Sequence, residues 1–118
     1  EINSIYFDLN KSDINKDASI ELDKIVEVLK NNPEITIELG SHTDSRGSDT
    51  YNLKLSDRRA KSSAKYITSK GIAKDRITGI GYGETKLRNQ CSNGVKCSKE
   101  EHAQNRRTEF KITEIEVN

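Results

Sequence analysis

The sequence predicts an α+β fold: four strands in one sheet, two helices on one of its faces, in the chain order β-α-β-α-β-β. Three observations carry this. The length of 118 residues suits one domain, so we expect 1–118 to form a single unit with its core between about 5 and 112. Apolar residues recur with a period of two in some segments and about 3.6 in others. The two helical segments are also separated by a segment of strand period, so each helix connects strands.

Composition limits the core. Only 26 residues are Leu, Ile, Val or Phe, and half of them are Ile. That fraction, 22%, sits near the level of roughly 20% at which disorder becomes the default reading. A net charge of +1 argues against disorder, and it also gives no general pull toward nucleic acid or anionic lipid. No apolar run approaches the roughly 20 residues of a membrane helix. There is no methionine, even at position 1, so we expect a segment to precede Glu1.

Ile5, Phe7 and Leu9 alternate with Tyr6 and Asp8, a first strand, and Asn10 to Lys16 forms a polar turn. Ala18, Leu22, Ile25, Val26 and Leu29 then make one helical stripe. Asn15 is positioned to cap this helix, Asp17 suits its positive end, and Asn31-Asn32-Pro33 stops it. Ile35, Ile37 and Leu39 form a second strand, followed by a loop from Gly40 to Gly47. A long helix should run from Ser48 or Asp49 to Lys70, closed by Gly71, with Ile72 packing back on Ile67. A third strand is expected near Arg76 to Tyr82, although Ile77 and Ile80 do not share a face and Gly79 and Gly81 interrupt it. Residues 84–105 read as one long polar loop. The last strand carries Thr108, Phe110 and Ile112 on one face, and Ile115 and Val117 break that parity, which signals a bulge or an end.

The chemistry concentrates in His42-Thr43-Asp44-Ser45-Arg46-Gly47 and, on the long helix, in Tyr51-Asn52 and Leu55-Ser56-Asp57-Arg58-Arg59-Ala60. A strand end followed by a helix start is where sheets of this kind place ligands. Arg59 lies about ten residues into the helix, about 15 Å along its axis, and the 44–47 loop can climb far enough to bring Asp44 level with it. An Asp beside an Arg, not fully paired, suits a zwitterion: Asp44 accepts from an ammonium and Arg59 grips a carboxylate with two donors.

These motifs, with Gly71-Ile72, Gly81-Tyr82-Gly83-Glu84 and Asn105-Arg106-Arg107, resemble the OmpA-like peptidoglycan-binding domains, the family of OmpA, Pal and MotB. The resemblance runs from about Ile5 to Ile112. It implies a β-α-β-α-β-β two-layer sandwich with a four-stranded mixed sheet, no enzymatic activity, no cofactor and no metal. It implies non-covalent binding to the meso-diaminopimelate of the cell-wall peptide, in the periplasm, by a domain of an outer-membrane or envelope protein. Carried over residue by residue, Asp44 meets the ammonium, Arg59 holds the carboxylate and Leu55 lines the pocket. Leu9 and Asn10 offer backbone contacts, and Thr43 and Asn52 shape the loop. Asn105, Arg106 and Arg107 stand behind the site as structural support. The chain departs from the family at Ser63, where an apolar residue is usual, and in its longer 84–105 loop. That loop resembles Bacteroidetes members, and the periplasmic setting implies a Cys91–Cys97 disulfide in place of two free thiols.

Other readings weigh less. A zinc set of Cys91, Cys97, His102 and His42 is spaced too widely and lacks a second short pair. A hydrolase built on His42, Asp44 and Ser45 has nothing to orient a triad. Arg58, Arg59, Lys61, Lys65 and Lys70 along one helix are balanced by acids and lack interleaved aromatics, against nucleic-acid binding. The main alternative is an envelope protein-interaction domain in which wall binding is secondary. On sequence alone, losing either Asp44 or Arg59 should weaken binding without unfolding the domain. Binding should weaken below about pH 4 as Asp44 protonates.

Overall fold

The computed structural model describes residues 4–8, 11–85, 87–89, 91–92 and 94–115. Leu9, Asn10 and Val117 lie outside the described residues. The sheet is organised around β2 (Ile35–His42), whose Ile35, Ile37 and Leu39 point to one buried face. On one side β2 pairs in parallel with β3 (Ile77–Gly83), from Ile37 opposite Ile77 to His42 opposite Gly83. On the other it pairs antiparallel with β4 (Arg107–Ile115). β1 (Ile5–Tyr6) adds to the outer edge of β4, antiparallel, with Ile5 opposite Thr108. The order across the mixed sheet is β1-β4-β2-β3.

α1 (Lys16–Asn31) forms as its pattern requires. The Asn15 side chain accepts from the Ala18 N–H at 2.8 Å, and the five stripe residues are all buried. Leu22, Ile25 and Leu29 pack against Ile5, Phe7, Ile35, Ile37 and Leu39, and fully burying each such side chain contributes about 2 kcal/mol. α2 (Asp49–Ser69) is capped by Ser48, which accepts from the Tyr51 N–H at 3.1 Å. Gly71 takes φ +99°, a left-handed value glycine adopts without strain, and Ile72 joins Ile67 in the core. The α2 face toward the sheet is unusually polar, with Asn52, Ser56, Arg59 and Ser63 among its buried residues. Ser63, which replaces the expected apolar residue, is buried with no hydrogen-bond partner for its hydroxyl among the described residues.

Small residues let α2 lie almost on the sheet. A Cβ on Gly81 would meet the backbone N of Asp57 at 2.4 Å, and one on Gly79 would meet the Ala60 carbonyl oxygen at 3.0 Å. The glycines that interrupt the third strand's pattern therefore let it pack.

The sequence reading needs three corrections. β2 continues to His42, so Gly40 and Ser41 belong to the strand and not to the loop. Both flanking strands bond to this stretch, and Ser41 Oγ and Thr108 Oγ1 share a hydrogen bond of 2.6 Å. Among the described residues the first strand covers only Ile5 and Tyr6, although Phe7 is still buried and its N–H donates to the Arg106 carbonyl at 3.0 Å. The 84–105 segment is also not one loop. It contains α3 (Lys99–Ala103), opened by a capping box in which Ser98 and Glu101 bond each other's backbone N–H. The Ser98-Lys99-Glu100-Glu101 string carries that signal in the sequence. The expected bulge in β4 is present. Thr36 pairs with Glu114 and Ile37 with Ile112, so Thr113 is the extra residue.

Candidate ligand-binding site

The end of β2 and the start of α2 enclose a cavity of about 270 Å³. Thr43, Asp44, Arg46 and Gly47 form its loop wall, Tyr51, Asn52, Leu55 and Arg59 its helix wall, and Arg106 closes it from the segment before β4. Five of the residues expected at the site (Asp44, Arg59, Leu55, Thr43 and Asn52) thus line one cavity. Leu9 and Asn10 lie outside the described residues.

Arg59 is fully buried. Its Nε donates to the Lys11 carbonyl at 2.8 Å, Nη2 to the Asp8 carbonyl at 3.0 Å and Nη1 to the His42 carbonyl at 3.3 Å. Its guanidinium also stands over the Phe7 ring, 5.2 Å from the centroid. Burial, reinforced by the neighbouring Arg106 charge and opposed by Asp44, lowers its pKa to about 10, so it remains a cation at neutral pH. Arginine carries five N–H donors, and among the described residues these three carbonyls hold three of them. The Arg59 cation is therefore fixed by backbone before any ligand arrives.

Asp44 is buried too, and no ion pair joins it to Arg59 among the described residues. Oδ1 accepts from the Arg46 backbone N–H at 2.9 Å and from Arg46 Nε at 3.3 Å. Oδ2 accepts from Arg46 Nη2 at 2.9 Å and from Arg106 Nη1 at 3.1 Å. Burial alone would raise the Asp44 pKa. The hydrogen bonds from Arg46 and Arg106 outweigh it and hold the carboxyl below its ordinary 3.8. Asp44 and Arg59 are thus not paired with each other, but two other arginines already occupy the Asp44 carboxylate.

Arg106 lines the cavity itself, with its Nε anchored on the Phe7 carbonyl at 3.1 Å. Its two neighbours do not line the cavity. Asn105 accepts from the Arg88 N–H at 2.7 Å and donates to Asn89 at 2.9 Å, while Arg107 pairs with Glu109 at 3.2 Å. Asn52 ties the loop to the helix by donating to the Asp44 carbonyl at 3.3 Å and to Glu84 at 3.0 Å. Thr43 Oγ1 is buried without a hydrogen-bond partner among the described residues. The sequence reading placed Arg46, Gly47 and Tyr51 in the cluster but gave them no role in the site. Arg46 was open to discovery, since an Asp two residues before a backbone N–H commonly folds back on it.

The geometry also bears on the competing chemistries. Cys91 and Cys97 form a disulfide with Cα atoms 6.0 Å apart, so neither offers a thiolate to a metal. Ser45 Oγ donates to the Cys91 carbonyl, which joins the stapled segment to the site loop. His42 stacks on Tyr82, ring centroids 5.3 Å apart, and faces Glu109. Ser45, His42 and Asp44 are thus each engaged elsewhere and form no triad. No described helix is long and apolar enough to cross a membrane.

Comparison with known proteins agrees with this architecture. The profile of the OmpA family matches residues 6–101. The photosystem I P700 chlorophyll a apoprotein A2 of Gloeobacter violaceus is 42% identical over 83 residues, 70% of this chain and 10% of that protein. The peptidoglycan-associated lipoprotein of Buchnera aphidicola is 36% identical over 84 residues, 71% of this chain and 49% of that one. This chain therefore spans half or less of the length of these relatives. The crystal structure of the peptidoglycan-associated lipoprotein from Burkholderia pseudomallei superposes with a TM-score of 0.82 over 93% of this chain and 89% of that one. At 24% identity, that likeness speaks to the fold. The mixed sheet, the strand-to-helix cavity and a profile match over most of the chain lead to one conclusion: the chain belongs to the OmpA family, a family of binding and not catalytic domains.

Proposed function

We propose that this domain binds the cell wall non-covalently, holding the diaminopimelate of a peptidoglycan stem peptide in the cavity and so tying an envelope protein to the wall. In this reading the domain works in the periplasm. The observation that carries it is the fixed, buried Arg59 cation at the cavity wall, beside the Asp44 carboxylate. A preorganised guanidinium loses little entropy when it binds a carboxylate, and an adjacent carboxylate admits the ammonium that accompanies it in an amino acid. Leu55 supplies an apolar wall for the methylene chain between the two ends. The relative named for its association with peptidoglycan supports the same reading.

The test is co-sedimentation with purified sacculi stripped of protein. The domain should pellet with them, and free meso-diaminopimelate should release it. Asp44→Ala should reduce retention at least tenfold, about the 1.5–3 kcal/mol of a charge-assisted hydrogen bond. Arg59→Ala is a poor probe, because three backbone carbonyls lose their donor and the fold suffers with the site. Arg59→Lys keeps the charge and is the better variant. Its single ammonium cannot reproduce the two-pronged grip, so retention should also fall. A domain that stays in the supernatant removes the wall reading. Retention that diaminopimelate does not compete removes the ligand assignment.

A further inference from the structure

The Asp44 carboxylate is already saturated by cations of the protein, so a ligand ammonium has to take the place of one of them. Three guanidiniums face the cavity, and they differ in how firmly they are held. Arg59 is buried on three carbonyls. The Arg106 side chain is 14% exposed and anchored on Phe7 as well as on Asp44. The Arg46 side chain is 39% exposed, and among the described residues its side-chain bonds go to Asp44 alone. Arg46 is therefore the guanidinium that can leave. Its departure would not collapse the loop, because the Arg46 backbone N–H keeps its own bond to Asp44 Oδ1.

We propose that Arg46 is a resident occupant of the ammonium subsite, exchanged for the amine of the incoming ligand. The inference rests on the cell-wall reading of the cavity and adds to it the residue that sets amine selectivity. A cation replaces a cation, so the buried carboxylate never stands bare in either state. Since Arg46 must be displaced, the site gains less from a ligand's amine than an open Asp44 would give.

The experiment is calorimetric titration of the wild type and Arg46→Ala with two probes, meso-diaminopimelic acid and pimelic acid. Pimelic acid has the same chain and both carboxylates but no amines. The ratio of their affinities isolates the amine, because meso-diaminopimelic acid alone carries a group that can replace Arg46 on Asp44. We expect the preference for the amine-bearing probe to rise about fivefold in Arg46→Ala, the scale of a half-exposed ion pair. Arg46→Lys, which restores a cation, should return the ratio toward wild type. If the ratio is unchanged or falls in Arg46→Ala while the wild type binds, the exchange is wrong and the cell-wall reading stands. If the wild type binds neither probe, both fall.

Discussion

Asp44 shows what one residue's partners do to its chemistry. With Arg46 and Arg106 bonded to it, its carboxyl is held below 3.8 although burial pushes the other way. A carboxyl depressed in the folded state contributes stability above its unfolded pKa and loses it as pH falls through the folded value. Its contribution should therefore survive at pH 4, lower than the sequence alone suggested, and fail only below 3.8. Carbon NMR of the Asp44 carboxyl should show a midpoint below 3.8, and Arg46→Ala should raise it. A wild-type midpoint above that value would contradict the pairing. Asp44 and Arg59 are legible as candidates because one follows a strand end and the other lies on the helix that comes next. Their partners are not. Arg106 lies 62 positions from Asp44, and the carbonyls that hold Arg59 lie 17, 48 and 51 positions from it. Local pattern carries no information about such contacts.

Among the elements, α2 and β3 depend closely on each other. Ser56 Oγ accepts from the Gly83 N–H at 2.9 Å, and the missing side chain at Gly81 leaves room for the Asp57 backbone. Gly81→Ala would press a methyl against a backbone nitrogen that no rotamer change can clear. We expect it to cost about 3 kcal/mol, seen as a lower urea midpoint, and an unchanged midpoint would mean the helix can lift freely. Both long helices are legible in the sequence, α1 from its Asn15 cap and apolar stripe and α2 from its Ser48 start and its Gly71-Ile72 close. α3 is not legible from periodicity, since five residues are too few to show a stripe. Its capping box at Ser98 and Glu101 is the only local sign. The ends of β2 and β1 escape the pattern because pairing partners, and not alternation, decide where a strand stops.

Across the whole molecule, the 84–105 segment is drawn in at several points: the disulfide, the Ser45 bond to the Cys91 carbonyl, and Arg88, which bonds Tyr6, Ser4 and Glu109. Replacing Cys91 and Cys97 together by Ser should lower stability by about 2 kcal/mol, the scale for closing so short a loop, read as a shift in denaturant midpoint. Hydrogen exchange should rise around residues 88–105 while the amides of α1 keep their protection. A double variant as stable as the wild type would mean that the hydrogen bonds alone hold the segment. The strand order has a consequence in time. β4 comes last along the chain yet lies between β1 and β2, and β1 touches the sheet only through it. Chains emerge from their N-terminus, so β1 is made before β4 and finds no strand partner until β4 exists. During that interval the inner edge of β2 is a vacant berth for any extended strand. The last strand to arrive both seats the first and closes that berth, so the finished sheet is the product of a single late event.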